Sequence, residues 1–242
     1  MLTHKTLVVT TFNRQLYDEY AMAFIESFPD TLDLVVYSED ELPFEYRLLS
    51  KQRAFVERNK HKKAQGFKHD AVRFCYKPYA IYSVMSYLEL HPEYTRLLWI
   101  DADTVFKQPI DEEWITTHLH KENSIMSYLG RPNYHSETGI LLFNHKQQNT
   151  QQYLNDVIMY YMTDSIYTLK EQHDSFVWDY AREQYIMGEG YGMGKLNYFH
   201  NLAEHITDAS QGGHIFNRLY SDYMDHRKGK RKATSSKEYN NK

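Results

Sequence analysis

Two aspartates one residue apart, Asp101 and Asp103, follow Leu97-Leu-Trp-Ile100, one of the two purest apolar runs of the chain. Such a run reads as a buried strand, and the carboxylates then stand where it leaves the sheet. Ligands collect at the carboxyl ends of strands in open α/β sheets. Two carboxylates there can bind a hard divalent cation whose shell is completed by phosphate oxygens. The alternative is a turn that merely uses acidic residues. Arg73 and Lys77, four apart, share one face of a helix and could clasp a diphosphate or simply face water. Residues 51–68 are basic (Lys51, Arg53, Arg58, Lys60, Lys62, Lys63 and Lys68 against Glu57), and so is 226–242. These runs are either solvated surface or a local phosphate site.

The elements that must position these groups follow from periodicity. Leu7–Thr11 is expected as a buried strand, Tyr17–Phe28 as a helix ending at Pro29, and Leu32–Tyr37 as a second strand. Strand, helix, strand is the opening of a parallel α/β sheet. Asp70–Leu90 carries the strongest apolar stripe, with Pro78 as a kink or break. Ser124–Leu129 and Thr138–Asn144 are expected strands, and Gln147–Met162 and Asp174–Arg182 expected helices, the latter N-capped by Asp174. Gly188–Gly194 reads as a turn, and Asn197–His200 and His214–Asn217 as short closing strands.

Composition bounds the class. The 242 residues are 42% hydrophobic and 25% charged, which excludes collagen, a disulfide scaffold and wholesale disorder. The formal charge of -4 argues against a dedicated nucleic-acid coat. The lone Cys75 cannot form an internal disulfide, so a reducing, cytoplasmic setting is expected. No apolar run approaches the roughly 20 residues of a membrane span, and no signal-peptide pattern is seen. The 22 tyrosines suit sugar or base contacts, or a Tyr-rich core.

On Asp101-Ala102-Asp103 after its apolar strand, the sequence resembles the metal-dependent glycosyltransferases of the GT-A fold over most of residues 5–232. The resemblance implies a Rossmann-like, mostly parallel central sheet flanked by helices. It implies one domain over 1–233 and a polar, disordered tail at 234–242. Implied ligands are Mn²⁺ or Mg²⁺ and a nucleotide-sugar donor, a UDP-sugar foremost, with a glycan, lipid or protein acceptor. No nucleic acid is expected; peripheral membrane contact stays open.

By the same resemblance, Thr10, Thr11, Phe12 and Asn13 form the loop against the nucleotide, and Arg73 or Lys77 and Ala102 lie at the donor. Glu137-Thr-Gly139 precedes an apolar strand near sugar and acceptor, with Gly139 allowing close backbone approach and Glu137 replacing the asparagine of the galactosyltransferase-like branch. Asp174 is the acidic residue near donor sugar and acceptor hydroxyl, beside His173. Candidates for the chemistry are therefore Asp174, Glu137 and His173. His226-Arg-Lys-Gly229-Lys-Arg-Lys232 resembles the His-x-x-Gly-x-x-Lys of the glycogenin and lipopolysaccharide galactosyltransferase branch. There the histidine joins Asp101 and Asp103 as third metal ligand, while Gly229 and Lys232 meet the diphosphate. His214 is the rival ligand.

Two other readings stay open. Asp101-Ala-Asp103-Thr-Val also fits a haloacid-dehalogenase-type phosphatase with Asp101 as nucleophile, although that motif belongs near an N-terminus. A non-enzymatic nucleic-acid-binding α/β domain would use the basic segments.

Overall fold

The computed structural model describes residues 4–40, 46–188, 198–207 and 214–229. In chain order the elements are β1 (Thr6–Phe12), α1 (Arg14–Leu16), a π-helical turn (Tyr17–Ala21), α2 (Met22–Ser27), β2 (Asp33–Ser38), β3 (Arg47–Leu48) and α3 (Arg53–Asn59). There follow α4 (Ala71–Phe74), α5 (Tyr76–Leu90), β4 (Arg96–Ile100), β5 (Thr104–Phe106), α6 (Glu112–His118), β6 (Met126–Arg131) and β7 (Tyr134–Asn144). The last are α7 (Thr150–Met162), α8 (Asp174–Gly188), β8 (Phe199–Asn201), α9 (Ile215–Tyr220) and β9 (Met224–His226).

Among the described residues seven strands form one sheet, in the order β3-β2-β1-β4-β7-β6-β8. Pairing is parallel from β3 to β4 and again between β6 and β8, while β7 runs antiparallel to both neighbours. The central strands are buried on both faces, and the period of two divides their side chains between two cores. Leu7, Val9, Leu97, Trp99, Leu141 and Phe143 enter the core under α5, α7 and α8. Val8, Leu98, Ile100, Ile140 and Leu142 enter the opposite one, with Phe24, Trp114 and Phe216. This is why these segments read as continuous apolar runs rather than as alternating ones.

The structure decides between open expectations in one place and corrects one in another. The Asp70–Leu90 stripe is two helices, α4 and α5, that part at Cys75. Pro78 has no N–H to bond the carbonyl of Phe74, so one ladder cannot run through. Asp70 accepts the Arg73 N–H and caps α4. His214–Asn217 is no strand: Ile215–Tyr220 is helix α9, with Ile215, Phe216 and Tyr220 buried along one side. Much of the basic stretch 51–68 is surface charge with local partners. Arg58 pairs with Asp164 at 3.1 Å, Lys60 with Glu57 at 2.6 Å and Lys68 with Glu171 at 2.9 Å, while Lys51 and Lys62 cover the rings of Tyr82 and Tyr167.

A further buried ion pair fixes the start of β4. The fully buried guanidinium of Arg96 donates to Glu112 at 2.5 Å, Thr116 at 2.9 Å and Thr6 at 3.1 Å. Burial pulls the Arg96 pKa down, and the Glu112 charge opposes that. No helix among the described residues is long and apolar enough to cross a membrane.

Candidate active site

The site gathers at the carboxyl end of β4. The chain leaves the sheet at Asp101, turns, and continues as β5, which pairs antiparallel with β9 in a separate two-stranded ribbon so that Thr104 faces His226. This two-stranded ribbon carries His226 back across more than a hundred residues to the aspartates. Its Nε2 lies 3.0 Å from Asp103 Oδ1 and 3.5 Å from Asp101 Oδ2. His214 is exposed beside α9 and is not in this cluster.

β7 supplies the next layer. Asp101 N–H donates to the carbonyl of Gly139 at 2.9 Å, which sets Glu137-Thr-Gly139 beside the aspartates. A Cβ at position 139 would stand 2.7 Å from His226 Nδ1 and closer still to Cε1. Gly139 therefore makes room for the imidazole. Glu137 stands behind the ring, its Oε1 3.4 Å from His226 Nδ1 and 2.6 Å from Lys228 Nζ. Its Oε2 accepts the Phe216 N–H, and the side chain is 1% exposed.

α5 adds Lys77. Its Nζ contacts Asp101 Oδ1 at 2.8 Å and Asp174 Oδ2 at 2.6 Å, and donates to the Thr138 carbonyl at 2.9 Å. Trp99 Nε1–H donates to Asp101 Oδ1 at 2.7 Å. Lys77 is thus a buried counter-ion to both aspartates. Arg73 belongs to α4 and lies exposed over the rings of Phe67 and Phe74.

Asp174 is the first residue of α8 and not its cap. The carbonyl of His173 accepts the Val177 N–H, and His173 Nδ1 takes the Phe176 N–H at 3.4 Å, so His173 holds the N-cap position. Asp174 is left to accept from Lys77 and, at 2.9 Å, from the Thr138 hydroxyl. His173 Nε2 contacts Glu171 Oε2 at 2.8 Å.

At the end of β1, Thr10 is buried and Thr11 donates to the Tyr37 carbonyl. Phe12 packs with Tyr20, Val36 and Ala102, and Asn13 caps α1 while donating to Glu39. Three of these four side chains thus serve the fold. Gly229 is described, with φ of 62°, the left-handed region that glycine enters most readily. Lys232, the tail from 234 and most of the 188–194 glycines lie outside the described residues.

The charges are strongly coupled. Burial alone would lower the His226 imidazole; the Asp103 charge and contacts with Asp101 and Glu137 outweigh it and push it up to about 10. Burial would raise Glu137, but His226 and Lys228 hold it down at about 2. Asp101 is held well below the usual carboxylate range by Lys77 and His226 against its burial, and Asp174 is lowered by Lys77. Lys77 is raised by both aspartates against desolvation.

Asp101, Asp103 and His226 offer one ligand atom each, all within 4.8 Å of one another. Neither ring nitrogen of the buried His226 has a hydrogen bond of acceptable geometry. Such a ring among carboxylates is a donor set that fits a cation. A separate cleft of about 760 Å³ opens between the β6–β7 turn, α8 and β8, lined by Tyr128, Arg131, His135, Asp179, Arg182 and Glu204 among others. The aspartates do not line it. It adjoins the site through His135, whose Nε2 is 3.3 Å from Glu171 Oε2.

No protein-family model and no curated protein sequence matches this chain. A solved glycosyltransferase involved in the glycosylation of the major capsid of PBCV-1 aligns over 98% of this chain and 100% of its own, at 10% identity and a TM-score of 0.52. The glycosyltransferase GlyE of Streptococcus pneumoniae TIGR4 aligns over 81% of this chain and 45% of its own, at 14% identity and 0.45. Mouse xyloside xylosyltransferase 1 covers 81% and 84%, at 11% identity and 0.43. The first likeness shows the fold; the other two are too distant to carry argument. With its seven-stranded sheet, antiparallel β7 and flanking helices, the chain has a glycosyltransferase fold of the GT-A type.

Proposed function

We propose that this chain is a metal-dependent glycosyltransferase that moves a sugar, a hexose in our reading, from a nucleotide-diphosphate donor to a glycan, lipid or protein acceptor. One observation carries the reading. In a GT-A-type fold, the β5–β9 ribbon delivers His226 to Asp101 and Asp103 at the carboxyl end of β4.

These three residues would hold the ion. Two carboxylates make a hard site, and the imidazole shifts its preference from Mg²⁺ toward Mn²⁺. When bound, the ion would neutralise the charge that builds on the diphosphate leaving group. Glu137 then acts as the carboxylate that orients His226 through Nδ1. Lys77 holds Asp101 and Asp174 in fixed relation. Asp174, with one oxygen on Lys77 and Thr138, is the carboxylate we place at the sugar. His226-x-x-Gly229 supports the glycogenin-like branch, with Lys232 as its phosphate lysine. The phosphatase and nucleic-acid readings gain nothing from this fold, and the paired charges of 51–68 count against the second.

The test is thermal denaturation with UDP, GDP and CDP, each with and without Mn²⁺. One nucleotide should raise the melting point only when Mn²⁺ is present, by about 2.7 kcal/mol of stabilisation at a hundred times its Kd. Asp103→Asn and His226→Ala should abolish the shift. No metal-dependent shift with any nucleotide overturns the reading.

A further inference from the structure

We propose that His135, Glu171 and His173 form a second metal site, for an ion of the zinc class, separate from Asp101, Asp103 and His226. The three come from two places that only the fold brings together. His135 lies near the start of β7, and Glu171 and His173 lie in the strap before α8. Their ligand atoms are all within 4.8 Å of one another.

The geometry is close to what such an ion requires. Tetrahedral zinc, with bonds of about 2.0–2.1 Å, sets its ligand atoms about 3.3 Å apart. Both rings turn Nε2 toward the same oxygen, Glu171 Oε2, His135 at 3.3 Å and His173 at 2.8 Å. The other oxygen of Glu171 is fixed by Lys68 at 2.9 Å, so Oε2 is the one presented. Loading requires the His173 contact to open by about half an ångström.

The surroundings resemble an outer shell. Metal-bound histidines usually give their second N–H to a carboxylate. Asp179 Oδ2 is 3.7 Å from His135 Nδ1, a short shift from hydrogen-bond distance. Phe67 and Phe74 pack on His173, and Phe176 packs on both histidines, which limits the water around the ligands. Two nitrogens and one oxygen favour Zn²⁺, Co²⁺ or Ni²⁺, whereas the two-carboxylate site favours Mn²⁺ or Mg²⁺. One contact is given up: ligation through Nε2 puts the His173 proton on Nδ1, which then loses the 3.4 Å contact from the Phe176 N–H.

An ion here would clamp the start of β7 to the residue before Asp174. It would stiffen the loop that presents Asp174 and would border the 760 Å³ cleft that His135 lines. The inference does not depend on the sugar-transfer reading: His173 is also a candidate for that chemistry, but none of the three ligands is among Asp101, Asp103 and His226.

Cobalt titration of the full chain tests it. Tetrahedral cobalt gives visible absorption bands, and these should appear in wild type and persist in Asp103→Asn, which weakens only the first site. They should vanish, with at least a tenfold loss of cobalt affinity, in His135→Ala and in Glu171→Gln. His135 is about one-third exposed, so its truncation should leave the metal-free melting point nearly unchanged, and Glu171→Gln keeps the side-chain shape. Zn²⁺ should raise the melting point of wild type and Asp103→Asn but not of these two variants. No tetrahedral bands in wild type, or the same binding in wild type and His135→Ala, would overturn the proposal.

Discussion

Replacing Lys77 by methionine removes one buried charge and leaves its partners in place. Nζ lies 2.8 Å from Asp101 and 2.6 Å from Asp174, and the lysine side chain is 11% exposed. At these separations each pair attracts by about 6 kcal/mol at an effective dielectric constant of 20. Desolvation of the three charges offsets much of that. Methionine leaves Asp174 without its cation and Asp101 with His226 alone, and truncating one partner of a buried pair costs about 3–5 kcal/mol. We expect a loss of about 4 kcal/mol at pH 7 in metal-free buffer.

The pH dependence identifies the cause. In wild type, Lys77 holds both carboxyls below the ordinary range. Their contribution is complete above the unfolded value of about 3.9 and is lost as pH falls through the lower folded values. In Lys77→Met burial and the Asp101 charge push Asp174 upward, while His226 still opposes a rise at Asp101, so protonation of Asp174 relieves the folded state as pH falls below neutrality. The gap between the proteins should therefore close by up to about 1.4 kcal/mol per pH unit for each extra proton the variant takes up. Lys77 itself stays charged throughout this range, because its own pKa is raised. Urea unfolding of both proteins at pH of about 7 and about 4.5 measures the gap. A gap below about 1 kcal/mol at neutrality, or one unchanged at the lower pH, would refute the argument that Lys77 serves as counter-ion.

Two further outcomes follow from packing and burial. Gly139→Ala puts a methyl against the His226 ring, so Mn²⁺ affinity by calorimetry should fall at least tenfold, with about 1–3 kcal/mol of overpacking strain; unchanged affinity would show that the ring needs no such space. Glu112→Gln deprives the buried Arg96 of its counter-charge and should cost about 2–3 kcal/mol, while Glu113→Gln on the exposed side of α6 should stay within about 0.5 kcal/mol; equal effects would mean that Arg96 does not depend on that charge.

Local chemistry made part of this protein legible from its residues alone. The apolar runs at 7–11, 97–100 and 138–144 read as strands because both faces of each are buried. Asp101 and Asp103 stood out because charge directly after such a run must lie at the sheet edge. Pro78 announced a break, since a missing N–H acts wherever it occurs. The short elements were not legible. β5 and β9 have three residues each, too few to show a period, and α9 passed for a strand because six residues carry one turn and a half.

What joins distant groups was settled by tertiary structure. The spacing of His226 and His214 from the aspartates could not rank them, and the β5–β9 register did, by setting Thr104 against His226. The two carboxylates beside Lys77 come from β4 and α8, and its own helix gives no sign of them. The Asp174 side chain turned inward to Lys77 while His173 took the cap. Glu137 and Gly139 acquired their roles only from the imidazole that packs between them. Helix and strand propensities act over a few residues, so a single sequence reveals them. Ion pairs and ligand sets here join residues tens to more than a hundred positions apart, and those distances exist only once the sheet order is fixed.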